Sequence, residues 1–319
     1  LIHTLPSRSQ CQIGCGSLQA QKEIITAMID KPLTFLFDFD HTNNTTRPYV
    51  MKEFAENGAE ALVLTDTLIS QVIQNPRFAP VLEKNISDAG LTFVDSHAPF
   101  GVTEDLDVPD PKLRPLMLDR LKVAMRVVAD FGVDTICIHT GNTSKQFEQY
   151  SLQDLDEAII HSLEELLPIA HDLNLVICIE NIWFPTNTPE KLLDIINYFN
   201  SESLGICYDS GHANLMAKDR GFQDSHPIQA WQNVGPIPYD DKILEKLLPH
   251  VVICHLHDNN GQYDSHLTPG DGNIDWRHIM PLLAKAPRLR SIQSEVIPVM
   301  VGAPIAKICR TFEELIEIA

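Results

Sequence analysis

The sequence predicts an α/β fold built as one (β/α)₈ TIM barrel in a single domain. Short runs rich in Val, Ile, Leu, Phe and Cys recur eight times along the 319 residues, and each is followed by a longer stretch with helical periodicity. Residues able to do chemistry gather where the apolar runs end, which is where a parallel barrel assembles its active site. With 44% hydrophobic and 21% charged residues, the chain can bury one large core.

The strands are expected in order as follows. The first, 33–39, ends among Asp38 and Asp40. The second, 61–64, is followed by Asp66, and the third, 91–94, leads to His97. The fourth, 135–139, finishes on His139, and the fifth, 175–180, finishes on Glu180 with Asn181 behind it. The sixth, 205–209, ends on Asp209 and carries His212 three residues on. The seventh, 251–255, ends on His255, followed by His257 and Asp258, and the eighth, 291–295, ends on Glu295.

Between them, segments such as 116–131 and 155–172 place apolar residues at three- and four-residue intervals, as helices covering a barrel do. Residues 1–32 read as an N-terminal extension with a capping helix at 19–29, and 33–319 as the barrel. Two long connections, 101–111 and 214–238, are expected to be ordered, the second as a lid or an oligomer contact.

The formal net charge of −19, from 24 Lys plus Arg against 43 Asp plus Glu, opposes broad attraction to nucleic acid or an anionic membrane. A small-molecule partner is the expectation. No run approaches the ~20 apolar residues of a membrane span, and no basic region precedes an apolar segment at the N-terminus, which predicts a cytoplasmic protein. Of seven cysteines, Cys137, Cys178, Cys207 and Cys254 lie inside apolar runs and read as small, reduced, buried hydrophobes. Cys11 and Cys15 belong to a polar N-terminal stretch and read as part of a plain tail, with a redox or metal pair as the alternative. No Gly-x-Gly-x-x-Gly follows a strand, and neither a Walker loop nor a Gly-x-Ser-x-Gly elbow occurs, so dinucleotide binding and serine hydrolysis lack support.

Barrel closure brings the last four strand ends together, making Glu180, Asp209, His255 and Glu295 a candidate set of metal ligands. Three carboxylates and an imidazole carry a charge of about −3, which a divalent cation would neutralise. His97, His139, His212, His257, Asp264 and His266 are candidates for further metal or substrate contacts, either directly or by orienting the ligands. The segment from Asp264 to Trp276 reads as a tight, glycine-bearing loop entering a helix.

The sequences Glu180-Asn181, Asp209-Ser-Gly-His212 and His255-Leu-His257-Asp258, followed by Asp264-Ser-His266-Leu-x-Pro-Gly-x-Gly, resemble the xylose isomerase-like barrel superfamily of sugar isomerases and epimerases, to which endonuclease IV is related. The resemblance implies a divalent metal ion (Mn, Zn, Co or Mg) on Glu180, Asp209, His255 and Glu295. It also implies a sugar, sugar phosphate or inosose substrate isomerised or epimerised through an enediolate. Glu180 and Glu295 would then exchange protons with carbon, and His212, with His257, would hydrogen-bond the developing oxyanion. Trp183, Phe100 and Trp276 are candidates for an apolar floor under the sugar. The arginine that keto-sugar epimerases carry shortly after the seventh-strand histidine is missing from 256–268, which separates this chain from their mode of substrate binding.

The alternative implied by the same resemblance is an endonuclease IV-like zinc phosphodiesterase acting on abasic DNA. His97, His139, Glu180, Asp209, His212, His255, Asp264, His266 and Glu295 fall on that family's nine ligand positions for three zinc ions. Against it, the loop after the first strand, 41–47, holds a single Arg where a duplex needs a basic surface. The family also implies a homodimer or homotetramer.

Overall fold

The computed structural model describes residues 29–141 and 149–319. Eight parallel strands form one sheet, β1 Leu33–Phe35, β2 Ala61–Leu64, β3 Thr92–Ser96, β4 Thr135–Ile138, β5 Val176–Glu180, β6 Leu204–Asp209, β7 Val251–Leu256 and β8 Ser291–Ser294. Their order is β3-β2-β1-β8-β7-β6-β5-β4. The ends of that order meet at a single parallel bridge between His97 and Cys137, supported by Ala98 N donating to Cys137 O at 2.9 Å and Ser96 Oγ donating to Thr135 O at 2.7 Å. The result is a barrel whose seam lies between β3 and β4.

Helices fill the crossovers. They run α1 Arg47–Glu56, α2 Asp66–Gln74, α3 Ala79–Asp88, α4 Arg114–Asp130, α5 Leu152–Asp172 and α6 Pro189–Phe199 in the first part of the chain. The second part adds α7 Ser210–Met216, α8 His226–Trp231, α9 Ile243–Leu247, α10 Trp276–Leu283, α11 Pro298–Val301 and α12 Ile305–Ile316. Starts are set locally: Ser151 and Asp154 form a reciprocal capping box at α5, and Thr65 and Thr188 cap α2 and α6. The apolar stripes meet the outer faces of the strands, as where Phe54 and Phe312 lie against Phe35. A smaller buried cluster of Cys137, Val176, Cys178, Cys207, Val252 and Ile253 lies apart from that outer core.

The strand positions agree with the expected ones to within a few residues. β1 stops at Phe35 rather than at 39, because Asp38 Oδ1 accepts from Asp40 N at 3.1 Å and turns the chain into a short 3₁₀ segment, Phe39–His41. β3 runs on through Asp95 and Ser96, where polarity hid a strand: Asp95 is fully buried and accepts from Ser291 Oγ of β8 at 3.0 Å. The connection 214–238 contains α8, with Trp231 buried and its Nε1 donating to Trp183 O at 2.8 Å. Residues 1–28, with Cys11, Cys15 and nearly all of the capping helix expected at 19–29, lie outside the described residues. Ile29 itself is buried but not helical.

Candidate metal centre

Side chains alternate along a strand, so inward-facing residues two apart stack in layers down the barrel. The uppermost layer is formed by strand ends and the turns that follow them. Glu180, Asp209, His255 and Glu295 each place one donor atom within 4.8 Å of all the others, and all four are buried. Glu180 spans the group: Oε1 lies 2.8 Å from His255 Nδ1 and Oε2 3.0 Å from His139 Nε2. Glu295 Oε1 lies 3.2 Å from the same His255 nitrogen.

The other histidines ring this quartet. His97 Nε2 is 3.1 Å from His139 Nε2 across the barrel seam. His212, on the first turn of α7, puts Nδ1 3.5 Å from Asp209 Oδ1 and Nε2 3.4 Å from Asp264 Oδ2. His266 Nε2 is 3.0 Å from Asp264 Oδ2, while its Nδ1 faces Glu295 O at 2.8 Å. His257, just past the end of β7, is fully buried, with Nε2 3.1 Å from Asp209 Oδ2 and its ring stacked on His266 at 4.1 Å. The nine positions singled out in the sequence are thus contiguous, and His257 is the tenth.

Asp264 and His266 reach the centre through a loop that Asp258 organises. Its buried carboxylate accepts from Gly270 N at 2.9 Å, Ile274 N at 3.2 Å and Trp276 Nε1 at 3.0 Å. Asp258 and Leu267 also exchange two backbone bonds of 2.8 Å. Gly272 is required there, because a Cβ would stand 2.2 Å from Asp258 Oδ1. Closing this loop leaves His266 at φ +45°, a left-handed conformation that non-glycine residues seldom take. Sequence reasoning placed Asp258 in the motif but missed this task. It also missed Asp105, whose Oδ1 stands 3.9 Å from His139 Nδ1 on a loop 34 residues before it in the chain.

The electrostatics single out Glu295 as the carboxylate of the quartet short of positive charge. Burial pushes the Glu295 carboxyl up, and Asp209 and Glu180 push it further, so it is held well above its ordinary range even with His255 at 3.2 Å. Burial also opposes ionisation of Glu180, but His255, His139 and His212 outweigh it and hold that carboxyl well below its ordinary range. His212 is raised to about 10: burial opposes its charging, and Asp209 and Asp264 more than offset it. His97 is lowered to about 3 by burial and by His139. Glu295 Oε2 and Asp264 Oδ1 are buried and take no hydrogen bond among the described residues. A divalent cation on the quartet would supply the missing charge and satisfy such oxygens, so the residues present fit a hard or borderline metal.

Above the centre opens a cavity of about 380 Å³, within the range of small-molecule sites. Trp183 and Phe100 line it with His97, His139, Glu180, His212, Asp264, His266 and Glu295, and Asp38, Asp40 and Asp66 face them. Among the described residues its lining has no Lys or Arg. Asp66 is raised to about 6 by burial and, in part, by Asp40 and Asp38. Trp276 does not contribute a floor: it is buried outside the cavity lining, on Asp258. The single arginine of the loop after β1, Arg47, is buried with its guanidinium 4.6 Å over the Phe78 ring.

An eight-stranded parallel barrel with this centre at its carboxyl-terminal mouth defines a class, and the chain belongs to the xylose isomerase-like TIM barrel family, whose model matches residues 51–290. Among curated proteins it is 28% identical over 193 residues to an uncharacterized protein of Methanocaldococcus jannaschii, covering 59% of this chain and 58% of that one. It is 27% identical over 167 residues to a probable endonuclease 4 of Mycoplasmopsis synoviae, covering 50% and 53%. The chain therefore spans little more than half the length of these relatives. The solved structure of a D-tagatose 3-epimerase-like protein superposes with a TM-score of 0.66 at 22% identity, covering 89% of this chain and 97% of that one. A 3-keto-D-glucoside 4-epimerase from E. coli gives 0.64 at 14%, covering 89% and 99%. At those identities the likeness is one of fold.

Proposed function

We propose that the protein is a metal-dependent isomerase or epimerase of a sugar-like substrate, exchanging a proton on carbon next to a carbonyl through an enediolate. The observation that carries this reading is the convergence of Glu180 and Glu295 with Asp209 and His255, donor atoms within 4.8 Å of one another, at the base of a sugar-sized cavity. Glu180, Asp209, His255 and Glu295 would hold a divalent Mn, Zn, Co or Mg ion. When bound, that ion supplies Lewis-acid polarisation of a carbonyl, acidifying the neighbouring C–H.

The chain's own residues do the rest. Glu180, ionised and braced by His255 and His139, is the base that takes the proton from carbon. Glu295, on the opposite strand end, returns one. Asp209 serves as a fixed ligand: its Oδ1 accepts from His212 N at 2.6 Å and its Oδ2 faces His257. His212, lining the cavity and held charged by Asp209 and Asp264, donates to the oxygen that gains negative charge. His257, buried outside the cavity lining, steadies Asp209 rather than touching substrate. Trp183 and Phe100 give the sugar apolar faces and keep water from the intermediate.

The nuclease reading draws on the same cluster and on the endonuclease 4 relative. Burial of Arg47 and a cavity wall of Asp38, Asp40 and Asp66 oppose it, because both work against a phosphodiester backbone. The proposed setting is cytoplasmic, with a homodimer or homotetramer as the assembly.

The test is a panel of ketoses, inososes and sugar phosphates with the purified protein, before and after chelation and metal re-addition. We expect conversion of at least one keto sugar, lost with EDTA and lost in E180Q and E295Q, both still folded by circular dichroism. Near-normal activity of either variant, or three zinc ions with cleavage of abasic DNA, overturns the proposal.

A further inference from the structure

Four cysteines lie on the inner strands, and they are not equivalent. Cys178 spends its thiol on its own strand, donating to Val176 O at 3.7 Å, and Cys254 donates to Ser291 O at 3.8 Å. Cys137 and Cys207 instead turn toward the metal centre. They sit two residues before His139 and Asp209, one layer down the barrel, and both are fully buried. Cys137 Sγ donates to Glu180 Oε2 at 3.9 Å, and the Cys207 thiol lies within 4.8 Å of the Cys137 thiol. One donor atom from each of Cys137, Cys207, Glu180 and His255 lies within 4.8 Å of all the others. His255 is fully buried, and its Nε2 has no hydrogen-bond partner among the described residues.

We propose that Cys137 and Cys207, together with Glu180 and His255, form a second cation subsite beneath the carboxylate quartet that takes a thiophilic divalent ion such as Zn²⁺ or Cd²⁺. Two thiolates, an imidazole and a carboxylate make a closed four-donor set of the kind that holds zinc, whereas Mg²⁺ and Mn²⁺ prefer the oxygen-rich layer above. Glu180 and His255 belong to both sets, so the inference rests to that extent on the metal-centre reading, and the two subsites are alternatives for one ion. Occupying the lower one releases both thiol protons to solvent and draws Glu180 down from the cavity. The floor of the site thereby discriminates between metals: a hard ion stays in reach of substrate and a soft one is withdrawn from it.

The experiment uses the full chain, freed of metal and titrated with Cd²⁺ alone, with Mn²⁺ alone, and with Cd²⁺ after Mn²⁺. We expect Cd²⁺ to raise the ultraviolet sulfur-to-cadmium charge-transfer band, saturating at about one ion per chain. Mn²⁺ raises no band, and its free-ion paramagnetic resonance signal, suppressed by the protein, returns as Cd²⁺ is added. C137S/C207S loses the band and binds Cd²⁺ at least ~10-fold more weakly while still binding Mn²⁺; C178S and C254S keep the band. A wild-type protein that binds Cd²⁺ without the band, or a double variant that retains it, overturns the subsite. If Mn²⁺ binding persists in that case, the quartet stands without its lower neighbour; if neither ion binds, both readings fall.

Discussion

Replacing Asp258 by alanine tests whether one buried carboxylate holds the loop that delivers Asp264 and His266. Three of its bonds, to Gly270 N, Ile274 N and Trp276 Nε1, span 12 to 18 residues and close that loop. A typical hydrogen bond is worth about 1 kcal/mol net, so losing three should lower the free energy of loop opening by about 3 kcal/mol in D258A. The damage is local, because the strands and the outer core do not depend on these bonds. Native-state hydrogen exchange reads it directly: the amides of Gly270 and Ile274 should exchange ~100-fold faster or more, while those of β5 and β6 keep their protection. D258N keeps one carboxamide oxygen as acceptor and should fall between. With the loop loosened, His266 relaxes from its left-handed conformation, and ligands that depend on Asp264 and His266 bind more weakly. Unchanged protection at Gly270 and Ile274 in D258A would refute the reasoning.

Asp95 gives a pH prediction. Burial raises its carboxyl to about 6, above an exposed aspartate, so its contribution to stability is present at low pH and lost as pH rises through 6. D95N should remove that dependence and exceed wild type by up to about 3 kcal/mol at pH 8 in urea denaturation; equal or lower stability there would contradict it. At Gly211 a Cβ would stand 2.0 Å from His257 Cε1, so G211A must displace the ring that faces Asp209. It should lose about 1–3 kcal/mol of stability and bind divalent ions more weakly, and wild-type melting and metal affinity in this variant would show that the packing is slack.

The outer architecture was legible because Val, Ile and Leu runs of strand length alternate with helical stripes, and burial on both faces leaves that signature intact. The centre was legible as strand ends, since closure alone makes them converge. Two things were hidden. Asp95 and Ser96 extend β3, but their polarity reads as the end of an apolar run, and only the partners Ser291 and Thr135 across the barrel explain them. Cys137, Cys178, Cys207 and Cys254 share one sequence environment, yet two thiols face the candidate metal ligands and two bond backbone oxygens. Strand register and layer decide that, and a linear pattern carries neither.

The seam between β3 and β4 has a further consequence. The hoop of strands is fastened at His97 and Cys137, and His97 and His139 are the two lips of that join, with nitrogens 3.1 Å apart. Anything gripped by both rings is gripped by both ends of the hoop at once. Its binding free energy then counts toward keeping the ring shut, by RT ln(1 + [L]/Kd). In this molecule the buckle that fastens the scaffold and the proposed seat of its chemistry are one place, so filling the seat tightens the belt.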